Sequence, residues 1–244
     1  SQQLYRNTKE ISSAQAAHII YQGQNLLMLA SNDYLGLIEH PEIKKAAKEA
    51  VNIYGVGSGG SRLTTGTLPL HNQLETALAN FKHTEKALIF NTGYMANVGI
   101  ISALGLKDSI IFSDELNHAS IIDGCRLSYA KTVVYKHNDM QDLAEKLQEH
   151  AGCQGLIVTD AVFSMGGDIA PLPDIMELAE QYHVLTMVDE AHATGVIGAT
   201  GRGIVEHFGL KRQPDVLMGT LSKALAAEGG YVCGSQLLID YLRN

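Results

Sequence analysis

Short apolar runs and longer amphipathic stretches alternate along this chain. The runs are KALIF (86–90), SIIF (109–112), KTVVY (131–135), GLIVT (155–159), VLTMV (184–188) and DVLM (215–218), with GGYVCGS (229–235) last. Helical periodicity fills the gaps in GYMANVGIISALG (93–105), HASIIDGCRLSY (118–129), MQDLAEKLQEH (140–150) and PDIMELAEQYH (173–183). Nearly continuous apolar strands separated by helices predict an α/β domain whose central, mostly parallel sheet is covered on both faces. The direction of the last strand is left open by its pattern.

Upstream, proline opens a helix over residues 41–54, a glycine-rich loop follows at 55–67, and a second helix covers 68–81. Residues 1–40 read as an N-terminal arm with a short hairpin in HIIYQGQNLLML (18–29), and residues 41–244 as one large α/β domain.

In open α/β sheets, ligands bind beyond the carboxyl ends of the strands. Those ends carry Asn91-Thr92-Gly93, Asp114 with His118, Asp160 with Ser164, Asp189 with His192, and Thr220 with Lys223. Five polar strand ends above almost wholly apolar strand bodies suggest one shared site. Each residue also has a plainer reading. Asp189 reads as a helix cap or as a buried carboxylate needing a cation, such as a protonated pyridine nitrogen. Asn91-Thr92-Gly93-Tyr94 reads as an ordinary strand-to-helix turn or as a phosphate site on a helix N-terminus. His118 reads as a cap or as an imidazole lying on an aromatic ring. Lys223, among small residues, reads as a snorkelling side chain or as a desolvated amine suited to Schiff-base chemistry. Taken together, the second readings describe a site for pyridoxal phosphate (PLP).

Composition narrows the alternatives. The chain has 244 residues, is 45% hydrophobic and carries a net charge of −8, which argues against a nucleic-acid or anionic-membrane partner. Its three cysteines, Cys125, Cys153 and Cys233, have neither CxxC nor zinc-ligand spacing, and no metal site is expected. With no signal-like start and no membrane-length apolar run, the chain reads as cytoplasmic. Gly55–Gly60 matches GxGxxG, but a helix precedes it where a dinucleotide fold needs a strand. Ser128–Lys131 matches SxxK without its companion motifs.

The motifs SNDYLGL (31–37), GGSRL (59–63), LNHAS (116–120), VFSM (162–165), DEAH (189–192) and TLSK (220–223) resemble the α-oxoamine synthases. These are class II aminotransferase-like enzymes of PLP fold type I. The resemblance spans nearly the whole chain and implies decarboxylative joining of an amino acid to an acyl-CoA. It implies Lys223, His118, Asp189 and His192 as catalytic residues. Cofactor binding would fall to Thr92, Gly93, Tyr94, Ser164 and Thr220 together with those four, and substrate binding to Arg6 and Asn32. Tyr94 stands where phenylalanine is frequent. The stretches SRLTTGT (61–67) and IIDGCRL (121–127) look most like the branch joining L-alanine to pimeloyl-CoA, giving 8-amino-7-oxononanoate for biotin. Branches using glycine with acetyl-CoA or serine with palmitoyl-CoA are the alternatives, as is a non-catalytic partner or scaffold subunit. A homodimer is implied, as is a small C-terminal domain beyond Asn244. Ala226-Ala227-Glu228 replaces the usual glycines after the lysine, and Gly166 replaces a usual aspartate.

Overall fold

The computed structural model describes residues 7–244. A two-stranded hairpin, β1 (His18–Tyr21) and β2 (Gln24–Leu27), comes first, followed by α1 (Pro41–Tyr54) and α2 (Pro69–Lys82). Then come β3 (Lys86–Phe90), α3 (Gly93–Leu104), β4 (Ile110–Asp114), α4 (Ala119–Leu127), β5 (Lys131–Tyr135) and α5 (Met140–Glu149). The chain continues through β6 (Gly155–Asp160), α6 (Leu172–Tyr182), β7 (Leu185–Asp189), α7 (Ile204–His207), β8 (Val216–Thr220), β9 (Gly230–Gly234) and α8 (Gln236–Arg243). The four-residue α7 and the terminal α8 are two helices that the sequence pattern did not signal.

Strands β3 to β9 form one sheet in the order β3-β9-β8-β7-β6-β4-β5. Only β9 runs against the rest, pairing antiparallel with both β3 and β8, so six carboxyl ends share one edge. The strands alternate between two cores. Ala87, Phe112, Ile157, Val188, Leu217 and Tyr231 point to the face covered by α2, α5 and α6. Their chain neighbours Leu88, Ile111, Val158, Met187, Met218 and Val232 point to the face covered by α3, α4 and α8. Both strand faces are apolar because both are buried, which is why the runs are continuous rather than alternating.

Crossover handedness sets which helix goes where. The chain moves from β3 to β4 and from β4 to β5 in one direction across the sheet, carrying α3 and α4 on one face. It then reverses to reach β6 and β7, and right-handed crossovers put α5 and α6 on the other face. Such a reversal opens a crevice beyond the strand ends, where α3 and α4 begin.

Candidate active site

A cavity of about 210 Å³ lies in that crevice, walled by Thr92, Gly93 and Tyr94 from the start of α3, His118 and Ser120 from α4, and Asp160 and Ser164 after β6. Asp189 and His192 after β7, and Thr220 and Lys223 after β8, complete the wall with Asn97. A larger cavity of about 650 Å³ lies between α8 and the opposite strand ends, lined by Leu185, Val216 and Leu238. It is more spacious but brings together no comparable set of nucleophile, acid and base.

Each wall residue is held by local structure. Thr92 caps α3 through its side chain, which accepts from Met95 N–H at 3.1 Å. The first N–H groups of α3 have no acceptor within the helix, so its start is an anion-binding surface. Gly93 sits directly against the Thr220 side chain, and a Cβ on Gly230 would lie 2.7 Å from Gly93 Cα. Three chain segments therefore meet there at a distance only glycine allows.

His118 both caps α4 and lines the cavity. Its Nδ1 accepts from Ser120 N–H at 3.2 Å and lies 2.7 Å from Ser120 Oγ, while its backbone N–H donates to Asp160 at 2.8 Å. Asp189 lies at the cavity floor, 3% exposed. Its Oδ1 accepts from Ala191 N–H at 2.8 Å and its Oδ2 from Asn97 Nδ2 at 2.7 Å. No cation among the described residues is within salt-bridge distance of this carboxylate.

Lys223 reaches Thr220 Oγ1 by a single long hydrogen bond of 3.4 Å. Burial pushes its pKa below the usual lysine value, opposed by the Asp189 and Asp160 carboxylates. His192 is pulled down to about 4, first by burial and then by the Lys223 charge, and so is neutral at pH 7. Burial, and then repulsion from Asp189, raises Asp160 well above the ordinary carboxylate range.

Nine cofactor-site residues anticipated from the sequence thus share one cavity. Asn32 is not on its wall; Tyr34 links it to the site, its hydroxyl 3.2 Å from Asn32 Oδ1 and 2.6 Å from His192 Nδ1. Arg6 lies outside the described residues. Asp114, one of the five strand ends, departs from the shared-site expectation. Its carboxylate turns to His137 and to the N–H groups of Leu116 and Asn138, because α5 begins over that end of β4. Asn97 and Tyr34 were missed. Asn97 was findable, as a polar residue on the inward stripe of an otherwise apolar helix, one turn after Gly93.

The residues suit a phosphorylated pyridine aldehyde: a helix N-terminus for phosphate, a buried carboxylate lacking a cation, and a desolvated amine. The sequence matches the profile of aminotransferase class I and II over residues 24–244. The chain belongs to that family. The 8-amino-7-oxononanoate synthase of Lysinibacillus sphaericus is 52% identical over 244 residues, covering 100% of this chain and 63% of that protein. The same enzyme from Geobacter sulfurreducens is 52% identical, with 100% and 62% covered. This family member therefore spans just under two thirds of the length of those relatives.

Among solved structures, a serine palmitoyltransferase variant from S. paucimobilis with a bound PLP–myriocin adduct superposes with a TM-score of 0.93. It is 36% identical, covering 97% of this chain and 60% of that one. The 8-amino-7-oxononanoate synthase of Francisella tularensis gives 0.76 at 32% identity, covering 87% and 59%. The family member thus has the fold of the type I PLP transferases.

Proposed function

We propose that this chain forms the cofactor-binding part of a PLP-dependent C-acyltransferase that condenses L-alanine with pimeloyl-CoA, giving 8-amino-7-oxononanoate, CoA and carbon dioxide. One observation carries the reading: a pKa-lowered lysine amine shares a cavity that begins at a helix N-terminus with a buried carboxylate that has no salt-bridge partner among the described residues. The substrate choice rests on relatives about half identical over the full chain, against 36% for the palmitoyltransferase neighbour.

Lys223 would hold the cofactor through its amine, and Asp189 would pair with the ring nitrogen. Thr92, Gly93, Tyr94 and Thr220 would bind the phosphate, His118 would lie against the ring face, and Ser164 with His192 would meet the ring oxygen. Bound there, PLP supplies an electron sink for chemistry at the amino acid's α-carbon. Burial keeps a larger share of the Lys223 amine uncharged than an exposed lysine would have, so Nζ can take a proton from that carbon and later return it. Asn97 holds Asp189 in place, and Asp189 needs a cation to offset its own burial. His192 is neutral and directed by Tyr34, so it serves as a hydrogen-bonding group rather than a fixed charge.

Two copies would assemble as a homodimer. Supporting this, α1 buries none of its residues, and Val51, Ile53, Leu27 and Leu29 are large, exposed apolar side chains. A cytoplasmic setting fits the reading, and no described helix is long and apolar enough to cross a membrane. The test is CoA release from pimeloyl-CoA with L-alanine, run beside glycine with acetyl-CoA and serine with palmitoyl-CoA. Faster release from either of the other pairs would overturn the substrate assignment.

A further inference from the structure

His137 lies outside the cavity, in the turn between β5 and α5, yet it joins three elements. Its Nδ1 is 2.9 Å from Asp114 Oδ1 at the end of β4, and its Nε2 contacts Asp168 Oδ2. Asp168 closes the hairpin loop that follows β6. That loop is pinned at its base by the Val162–Ile169 bridge, and within it Phe163 N–H donates to Asp168 O at 3.0 Å and Gly167 N–H to Phe163 O at 2.7 Å. The loop carries Ser164 into the cavity wall. The Phe163 ring, next to Ser164 in the chain, packs edge-on against the His137 imidazole with centroids 4.4 Å apart.

We propose that His137 is a positioning residue that latches the 162–169 loop and thereby sets Ser164, and that the latch holds only while both ring nitrogens carry protons. The role of Ser164 rests on the PLP reading above; the latch itself does not.

Donor count sets how many carboxylates the ring can hold. An imidazolium donates from both nitrogens, whereas a neutral ring donates from one. When the ring loses a proton, one carboxylate must be released. Asp114 is fully buried and also held by the N–H groups of Leu116 at 2.9 Å and Asn138 at 3.0 Å. The Asp168 side chain is 40% exposed, with Asn138 Nδ2 at 3.3 Å as its only further side-chain partner among the described residues. Water can take over Asp168 but not Asp114, so the loop side opens. Asn138 Nδ2 lies 3.2 Å from His137 Nε2 and is placed to donate to the neutral ring in its stead.

The charged groups facing His137 are Asp114 and Asp168, with Glu115, which accepts the His137 backbone N–H at 3.0 Å. Lys136 precedes it in the chain, and its own backbone N–H goes to Asp142. Burial pulls the His137 pKa down, but the hydrogen bonds to Asp114 and Asp168 outweigh it and leave the pKa above the ordinary value. The latch is therefore closed in acid and opens as pH rises through that elevated pKa. Gly166 contributes space: a Cβ there would collide with Asp168 Oδ1.

The test is amide hydrogen exchange of residues 162–169 on the cofactor-free protein from pH 6 to 9, corrected for intrinsic exchange. In wild type the loop's protection should fall as pH rises, with β6 and β7 unchanged. His137→Asn and Gly166→Ala should each lower that protection about tenfold at pH 6. In Asp168→Asn the new amide can donate to the neutral ring, so protection should persist at high pH. Equal loop protection in wild type and both latch variants, or the same pH dependence in Asp168→Asn as in wild type, would overturn the latch. A separate titration with pyridoxal 5′-phosphate should show at least fivefold weaker binding by His137→Asn. Unchanged affinity with a loosened loop would overturn the link to Ser164. Absence of binding by wild type would overturn the PLP reading, while the exchange data still decide the latch.

Discussion

Directly after Asp189, the chain places Glu190 on the opposite side of the strand end, in an ion pair with Lys82 of α2. The two side chains are each 1% exposed. All three ammonium hydrogens have acceptors: Glu190 Oε2 at 2.6 Å, Thr194 Oγ1 at 2.8 Å and the Arg202 carbonyl at 2.6 Å. Glu190 Oε1 accepts from Ile204 N–H at 2.7 Å. Lys82→Met keeps most of the aliphatic volume, so the cavity contribution is small. What it leaves is a buried carboxylate without its cation, which costs about 3–5 kcal/mol. That is a large part of the roughly 5–15 kcal/mol by which a domain is stable. Lys82→Met/Glu190→Gln removes the stranded charge and keeps an acceptor for Ile204, so it should recover at least half of the loss. Guanidinium unfolding followed by circular dichroism measures both. A single variant within about 1 kcal/mol of wild type, less than the cost of one charged hydrogen bond, would refute the reasoning. So would a double variant no more stable than the single.

Further outcomes follow from the same geometry. In ¹³C NMR of the imidazoles, His192 should titrate near pH 4 and His137 above 6.5, where an ordinary histidine titrates; both near 6.5 would contradict the burial and carboxylate arguments. The sign is fixed for His192: above pH 6.5 the ring is neutral whether folded or unfolded and its shift costs nothing, and as pH falls toward 4 the fold is increasingly destabilised because the buried ring resists the proton that the unfolded chain accepts. Ala226 has φ of +53° in the turn after Lys223. Relieving a left-handed strain of about 1–2 kcal/mol exceeds the glycine entropy cost of about 0.5–1, so Ala226→Gly should stabilise by up to about 1 kcal/mol. A clear destabilisation in the same unfolding assay would contradict this. Tyr34→Phe removes the hydroxyl 2.6 Å from His192 Nδ1 and should weaken PLP binding about two- to tenfold, the worth of one hydrogen bond. Unchanged affinity would remove Tyr34 from the site.

The sheet was legible because both of its faces are buried, so strands such as Ile110–Asp114 and Leu185–Asp189 announce themselves as apolar runs. The direction of β9 was not legible. Glycine and β-branched content mark a strand, whereas its orientation comes from pairing with β3 and β8, far away in sequence. Most of the cavity was readable for a geometric reason: parallel strands deliver their C-terminal residues to one edge. Asp114 shows the limit of that rule, since an end residue is shared only if no neighbouring element claims it, and His137 claims this one. Tyr34 was illegible as a partner of His192, being 158 residues away with no periodicity to place it. Ala226 shows a different kind of information: the sequence marked an oddity after Lys223, and the positive φ gives it a physical meaning.

Lys223 and Asp189 are proposed to build the PLP site at the carboxyl edge of the sheet. Borohydride reduction of the protein with pyridoxal 5′-phosphate, followed by proteolysis and mass spectrometry, decides whether they do. A single phosphopyridoxyl adduct is expected on the peptide containing Lys223, abolished in Lys223→Ala and strongly reduced in Asp189→Ala. An adduct spread over surface lysines, or undiminished in Lys223→Ala, would contradict this.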